Sequence, residues 1–162
     1  MSKILVAYFS ASGVTANAAK KLAQTLGSDL YEIKPEIPYS QKDLNWMNPL
    51  ARSTKEMKGK LPYPALADTD ADISRYSTIL LGFPIWWYVA PTIINRFLET
   101  YDFSGKKIIL FATSGGSGFG KTAEKLRRSV TDSTEIIEGK LLNGNSSAEE
   151  FAVWVHSITE GI

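Results

Sequence analysis

The sequence contains no cysteine, and His156 is its only histidine. Without cysteine there can be no disulfide, iron–sulfur cluster, thiolate zinc site or cysteine nucleophile. An excess of charge of one sign is also missing, since 18 Lys and Arg residues stand against 17 Asp and Glu residues, a formal net charge of +1. Proteins that bind nucleic acid or anionic membranes through their overall charge are strongly basic, so we expect no nucleic acid partner.

Long hydrophobic runs are missing as well. The first apolar run, Ile4 to Phe9, is too short for a signal peptide or a membrane span, and no later run reaches a spanning length. The chain has 162 residues, 44% of them hydrophobic, which is the composition of one ordinary globular domain. We therefore expect a single cytoplasmic domain over residues 1–162, with no membrane insertion and an oligomeric state that the composition leaves open.

Five segments have the composition of β-strands. Residues 4–9, 79–83 and 108–112 are continuous apolar runs, which is typical of strands covered on both faces of a parallel sheet. Residues 30–34 and 134–138 alternate or carry charge, which is typical of the edges of a sheet. Because helical patterns separate these segments, the sequence predicts a three-layer α/β sandwich around a five-stranded parallel sheet in the order 2-1-3-4-5.

Apolar residues at helical spacing mark four helices between and after the strands. Gly27 is expected to end the first helix and Pro91 to begin the second. The positions expected to face inward are Val14, Ala18, Leu22 and Leu26; Ile94, Phe97, Leu98 and Tyr101; Ala123, Leu126 and Val130; and Phe151, Val155 and Ile158.

Residues 35–76 form an irregular insertion that contains five prolines and several aromatic residues. A short helix that extends from about Lys42 to Lys58 is expected there. So long a connection is usually functional or mobile. Trp46 and Met47 are candidates to cover part of a ligand site, with packing on the sheet edge as the alternative.

In open α/β sheets, ligands bind beyond the carboxyl ends of the strands where the strand order reverses, here beyond the first and third strands. The loop after the first strand runs from Ser10 to Thr15. It has three hydroxyls, a glycine and a run of amides at a helix N-terminus, which is typical of a phosphate site. It contains no Lys or Arg, so hydroxyls, amides and the helix dipole would hold the anion. An ordinary helix cap is the alternative.

Two further loops would face the same crevice. The loop after the third strand contains Pro84, Ile85, Trp86, Trp87 and Tyr88, whose large flat faces suit a planar ring system. Alternatively, these rings fill core beneath the loop. The loop after the fourth strand begins Thr113, Ser114, Gly115 and Gly116 and has four glycines in all, so its backbone can approach a ligand closely. A flexible turn is the alternative there.

Together the three loops resemble the flavodoxin family, whose strand order with FMN at the switch point is itself a known example of the rule for open sheets. The Pro-Ile-Trp-Trp segment is similar to a bacterial short-chain branch of that family. The resemblance implies noncovalently bound FMN, with its phosphate wrapped by Ser10, Ser12, Gly13, Val14 and Thr15. It implies an isoalloxazine flanked by Pro84, Ile85, Trp86, Trp87 and Tyr88, with its pyrimidine edge against Thr113, Ser114, Gly115 and Gly116.

The resemblance also implies a function, electron transfer through the bound FMN to a redox partner protein. The alternative is an FMN-dependent NAD(P)H oxidoreductase acting on a small acceptor such as a quinone. Two departures keep the alternative open. The branch usually has Gly where Tyr88 stands, and many flavodoxins are strongly acidic whereas this chain is nearly neutral. No catalytic side chain and no metal ligand are assigned.

Other motifs do not lead to a site. Residues 115–122 match the phosphate-loop pattern G-x-x-x-x-G-K-[ST], but none of the apolar strands ends in the Asp that a nucleotide hydrolase needs for magnesium. Asp68, Asp70 and Asp72 lack the glycine and glutamate of a calcium loop, so a solvated acidic turn is expected. His156 is expected on the surface.

Overall fold

One parallel sheet forms the centre of the molecule. The computed structural model describes residues 4–11, 13–45, 47–86, 89–113, 118–142, 150–153 and 155–157. Its strands are β1 (Ile4–Tyr8), β2 (Asp29–Glu32), β3 (Thr78–Pro84), β4 (Lys107–Thr113) and β5 (Glu135–Leu141). They pair in parallel in the order 2-1-3-4-5, which confirms the predicted α/β fold and strand order.

Helices connect the strands. They are α1 (Val14–Leu26), α2 (Arg52–Met57), α3 (Thr92–Thr100) and α4 (Thr122–Arg127), with a single 3₁₀ turn at Ile73–Arg75. Residues 150–153 and 155–157 are also helical and form a C-terminal helical segment. In the part of the chain that the structure describes, no helix combines the length and the apolar character needed to cross a membrane.

Two hydrophobic layers cover the two faces of the sheet. On one face, strand residues such as Val6, Leu80 and Phe111 pack with α1 and the C-terminal helical segment. On the other face, α3, α4 and the 3₁₀ turn pack against the alternate strand residues, among them Leu81 and Leu110. The central strands are therefore buried on both faces, as their unbroken apolar composition predicts.

The C-terminal helical segment confirms two of its three expected inward positions, since Phe151 and Val155 are buried. Ile158 lies outside the described residues. His156 is exposed, as expected.

The predicted inward face of α1 is partly wrong. Val14 is 56% exposed, and the buried positions are Thr15, Ala19, Leu22 and Ala23. Successive residues of an α-helix are rotated by about 100°, so Val14 points away from the face on which its neighbour Thr15 is buried. The end of α1 is as expected, because Gly27 caps it in the left-handed conformation with φ 64°.

The insertion contains less helix than expected, because α2 covers only Arg52–Met57 and residues 41–44 form turns. Pro49 explains the late start, since proline disfavours helix in the residues before it. The two ends of the insertion pair with each other: the Glu36 amide donates to the Ala65 carbonyl and the Ala67 amide to the Lys34 carbonyl, both at 2.8 Å.

Close packing of a ring over the backbone of β3 gives a test of the fold. A Cβ atom at Gly82 would lie 2.2 Å from Cζ of Phe111, a fully buried ring. We expect Gly82→Ala to lower the free energy of unfolding by about 1–3 kcal/mol, since the ring has no space into which to move. Chemical denaturation of the protein without added ligand measures the loss.

Gly118→Ala is the matched control, because a Cβ atom there meets open space. We expect it to change the stability by no more than about 0.5 kcal/mol. Equal effects of the two substitutions would contradict the close packing of Phe111 on Gly82.

Candidate functional site

The carboxyl ends of β1, β3 and β4 lie at one edge of the sheet. In the pairing register Tyr8 is opposite Gly82, and Pro84 is opposite Thr113. Two hydrogen bonds extend this pairing into the loops: the Phe9 amide donates to the Gly82 carbonyl at 3.0 Å, and the Ile85 amide donates to the Thr113 carbonyl at 2.9 Å. The starts of the three predicted loops are therefore fixed side by side.

The first loop presents hydrogen-bond donors at the start of α1. Gly13 has φ 96°, a left-handed conformation that favours glycine, and its amide donates to Ser10 Oγ at 3.0 Å. The Ser10 hydroxyl accepts that bond and keeps its own proton for a further acceptor. Among the described residues, no side chain caps the first turn of α1, so its amides can bind an anion. Ser12, the other hydroxyl assigned to this loop, lies outside the described residues.

Thr15 and Thr113 meet across the edge. Their hydroxyl oxygens are 2.7 Å apart, and both side chains are buried. The family resemblance implies that they contact different parts of FMN, Thr15 the phosphate and Thr113 the pyrimidine edge. Their direct contact joins the start of α1 to the end of β4 and so fixes the two loops relative to each other.

The aromatic loop after β3 closes on itself at Trp86. The Trp86 amide donates to the Val89 carbonyl at 2.9 Å, and the Val89 amide donates to the Trp86 carbonyl at 3.1 Å. Pro84, Ile85 and Trp86 are all half-buried at this point. Trp87 and Tyr88, like Ser114, Gly115 and Gly116 of the third loop, lie outside the described residues.

Trp86 is held by two other aromatic rings. Phe9, at the end of β1, and Tyr39, in the insertion, approach Trp86 edge to face at centroid distances of 5.8 Å and 5.5 Å, and they are 5.7 Å from each other. The Trp86 ring therefore packs on the core, as the structural alternative in the sequence analysis has it, while remaining only half-buried.

A charged cluster in the insertion orients Tyr39. The Tyr39 hydroxyl donates to one carboxylate oxygen of Glu56, and Arg52 Nε donates to the other at 2.9 Å. The Arg52 guanidinium also lies 4.0 Å from the centroid of the Tyr39 ring and donates to the Ile37 carbonyl at 2.6 Å. Glu56 is only 4% exposed, so its charge depends on these two donors.

The pKa of Tyr39 lies far above its ordinary value of 10.0, because burial disfavours the phenolate and because the hydroxyl donates to Glu56. The same two causes, with Asp68 as the acceptor, raise the pKa of Tyr31. Both hydroxyls therefore stay protonated at neutral pH and act as fixed donors.

Sequence reasoning missed the cluster of Tyr39, Arg52 and Glu56. The signal was present, because Arg52 and Glu56 have the spacing i, i+4 of a helical ion pair. Met47 is 72% exposed, so it does not pack on the sheet edge, and its suggested cover of a ligand site stays a prediction. Trp46 lies outside the described residues.

The remaining motifs have structural explanations. The Thr122 hydroxyl donates to the Phe119 carbonyl and is fully buried, so it is not available to a magnesium nucleotide. Asp68 accepts the hydrogen bond of Tyr31 at 2.6 Å. Within the described ranges, no three acidic or histidine side chains are grouped so that they could hold a metal ion.

Comparison with known proteins identifies the family. A family model described as flavodoxin matches residues 3–158, so the chain belongs to the flavodoxin family. Among curated protein sequences, none gives a significant match.

Solved structures agree with the family. A Bacteroides eggerthii protein assigned as a flavoprotein is 43% identical, with 98% of each chain covered and a TM-score of 0.89. One from Bacteroides uniformis is also 43% identical, with 95% of this chain and 97% of that chain covered and a TM-score of 0.86. A Lactobacillus acidophilus flavoprotein, solved in complex with FMN, is 22% identical and shares the fold, with 94% of this chain and 99% of that chain covered and a TM-score of 0.70.

Substituting Tyr39 tests the cluster. Tyr39→Phe keeps the ring against Trp86 but removes the donor to buried Glu56. We expect the free energy of unfolding at pH 7 to fall by about 1.5–3 kcal/mol, the range for hydrogen bonds to charged groups. Tyr63→Phe, at an exposed tyrosine of the same insertion, should change it by no more than about 0.5 kcal/mol.

The pH dependence provides a second readout of the same variant. Because the pKa of Tyr39 is raised on folding, its contribution is complete below the ordinary value of 10.0 and is lost as the pH rises above it. The stability of the native sequence should therefore fall more steeply than that of Tyr39→Phe above pH 10, by about 1.4 kcal/mol per pH unit. If the free energy of unfolding fell equally with pH in the two proteins, the conclusion that the Tyr39 hydroxyl stays protonated in the folded protein would be contradicted.

Proposed function

We propose that this protein is a redox protein that transfers electrons through FMN bound noncovalently beyond the carboxyl ends of β1, β3 and β4. The observation that carries the proposal is the first loop: no described side chain caps the start of α1, Gly13 is left-handed, and the Ser10 hydroxyl has a proton to donate. Family membership and the FMN complex of the Lactobacillus acidophilus protein support FMN as the cofactor.

The donor set suits a phosphate dianion without any cation. Residues 10–15 contain no Lys or Arg, so neutral donors and the helix N-terminus supply the attraction. We assign the phosphate to Ser10, Ser12, Gly13, Val14 and Thr15. Thr15 would act mainly through its amide, because its hydroxyl is already in contact with Thr113.

The isoalloxazine ring belongs, in this proposal, against the loops after β3 and β4. We assign its flanking surfaces to Pro84, Ile85, Trp86, Trp87 and Tyr88, and its pyrimidine edge to Thr113, Ser114, Gly115 and Gly116. The half-buried position of Trp86 supports a flat apolar wall, and the contacts with Phe9 and Tyr39 keep that wall in place without a ligand. A wall that is already ordered loses little side-chain entropy on binding.

The bound flavin would supply the electron chemistry, and the protein would bind it, orient it and limit its contact with water. In this proposal residues 1–162 form one cytoplasmic domain that includes the insertion at 35–76. It exchanges electrons with a redox partner protein or a small-molecule donor or acceptor. Oxidation of NAD(P)H is the second candidate function. It is favoured by a cavity beside the aromatic loop that is lined by Lys58, Lys121, Lys125 and Arg128.

The affinities for FMN and riboflavin test the assignment of the phosphate. Riboflavin lacks the phosphate, and a hydrogen bond to a charged group contributes about 1.5–3 kcal/mol, so two such bonds predict that riboflavin binds about 10²–10⁴-fold more weakly. Ser10→Ala should weaken FMN about tenfold or more and leave riboflavin nearly unchanged. Quenching of flavin fluorescence on titration of the FMN-free protein measures both.

Ser74→Ala is the matched control, because Ser74 is an exposed hydroxyl just before the amino end of β3, at the opposite edge of the sheet. It should alter neither affinity. Equal binding of FMN and riboflavin would contradict the phosphate site, and equal losses for both flavins in Ser10→Ala would mean that Ser10 only stabilises the loop.

A further inference from the structure

A basic cavity lies beside the aromatic loop. It has a volume of about 360 Å³ and is bounded by the end of α2, the loop after β3 and α4. Four of its lining residues are cationic, one is acidic and two are apolar. They are Lys58, Lys121, Lys125 and Arg128; Glu124; and Met57 and Val89.

The residues that line this cavity carry an excess of positive charge. Four cations against one carboxylate leave a formal charge of +3. Of the ion pairs found among the described residues, none involves any of the four cations. Arg127, on the same helix, does not line this cavity but a separate hollow that also contains Asp132 and Glu135, whereas Arg128 lines both this cavity and a hollow that contains Glu99 and Asp102.

The cavity shares two structural elements with the proposed flavin site. Val89 forms both backbone hydrogen bonds with Trp86, so the aromatic loop is a wall of each. Helix α2 contributes Met57 to the cavity, and it also carries the Glu56 carboxylate that holds Tyr39 against Trp86. A ligand in this cavity would therefore touch the loop assigned to the isoalloxazine.

We propose that this cavity binds the diphosphate group of a small ligand that works together with the flavin. The proposal rests on the proposed function for the role of that ligand, but not for the site itself. Phosphate oxygens are strong acceptors for ammonium groups and for the forked guanidinium of Arg128, and the charge of a diphosphate matches the excess of three cations. Met57 and Val89 give the attached organic group an apolar surface.

Calorimetric titration of the FMN-loaded protein tests this site, because FMN then fills its own phosphate loop. The probes are inorganic pyrophosphate, ADP and, without oxygen, NADH and NADPH. We expect one site for pyrophosphate, with an affinity that falls as salt is added. Lys121→Gln, Lys125→Gln and Arg128→Gln should each weaken it about tenfold, and Glu124→Gln should strengthen it a few-fold. Arg127→Gln is the matched control and should change nothing.

The four probes separate the two sources of a diphosphate. Binding of NADH or NADPH with bleaching of the flavin, weakened by the same three substitutions, would identify a nicotinamide dinucleotide. Binding of pyrophosphate and ADP without binding of either dinucleotide would identify a nucleoside diphosphate or free diphosphate. Either result supports the site.

Three results would overturn the proposal. These are no binding of any probe, equal affinities for Lys125→Gln and Arg127→Gln, and release of FMN during the titration, which would place the diphosphate in the flavin phosphate loop. Failure of the proposed function is distinct, because the protein would then not retain FMN in the absence of any probe.

Discussion

Strand β3 is hydrogen-bonded on one side to β1 and on the other to β4, and this pairing fixes the rest of the site. All three strands are buried on both faces, so each backbone amide and carbonyl must find its partner within the sheet. Parallel pairing then brings the three carboxyl ends to one edge, with β2 on the far side of β1. The loops after Tyr8, Pro84 and Thr113 start there because the register allows no other place.

The insertion between β2 and β3 holds the aromatic loop of the site in place. Its buried carboxylate, Glu56, is stable only because Arg52 and Tyr39 both donate to it, and removing either donor would leave a buried charge poorly compensated. The same contacts press the Tyr39 ring against Trp86. An ion pair in a connection that looks irregular therefore keeps an aromatic wall in place at the edge of the sheet, and the end of the same helix borders the basic cavity.

Much of this could be predicted from the sequence, for physical reasons. Unbroken apolar runs at 4–9, 79–83 and 108–112 can be satisfied only in the centre of a sheet, and the order of charged and apolar strands then gives 2-1-3-4-5. Gly13 was expected in the loop between a strand and a helix, where the structure has it in a left-handed conformation, and the anion site itself stays a prediction. The apolar runs and the loop before α1 each involve residues that are close together in the sequence, so they can be recognised without knowing which distant residues contact each other.

The parts that could not be predicted depend on contacts between distant residues. The pairing of Thr15 with Thr113 spans 98 positions, and no local pattern specifies it. The basic cavity combines the end of α2 with one side of α4, so its charge is invisible in a chain with a net charge of +1. The inward face of α1 was partly misjudged because the apolar pattern includes Val14, which is exposed, and leaves out Thr15, a polar residue that is buried through its contact with Thr113.

The most direct test of the central claim is to record amide NMR spectra while FMN is added to the FMN-free protein. If FMN binds at the carboxyl edge of β1, β3 and β4, the largest shifts should occur at the amides of residues 10–16, with smaller ones at Trp86 and Thr113. The amides at the opposite edge, around Ile73–Arg75 and Lys106, should not move. Largest shifts at that opposite edge, or shifts spread evenly over the protein, would contradict the account.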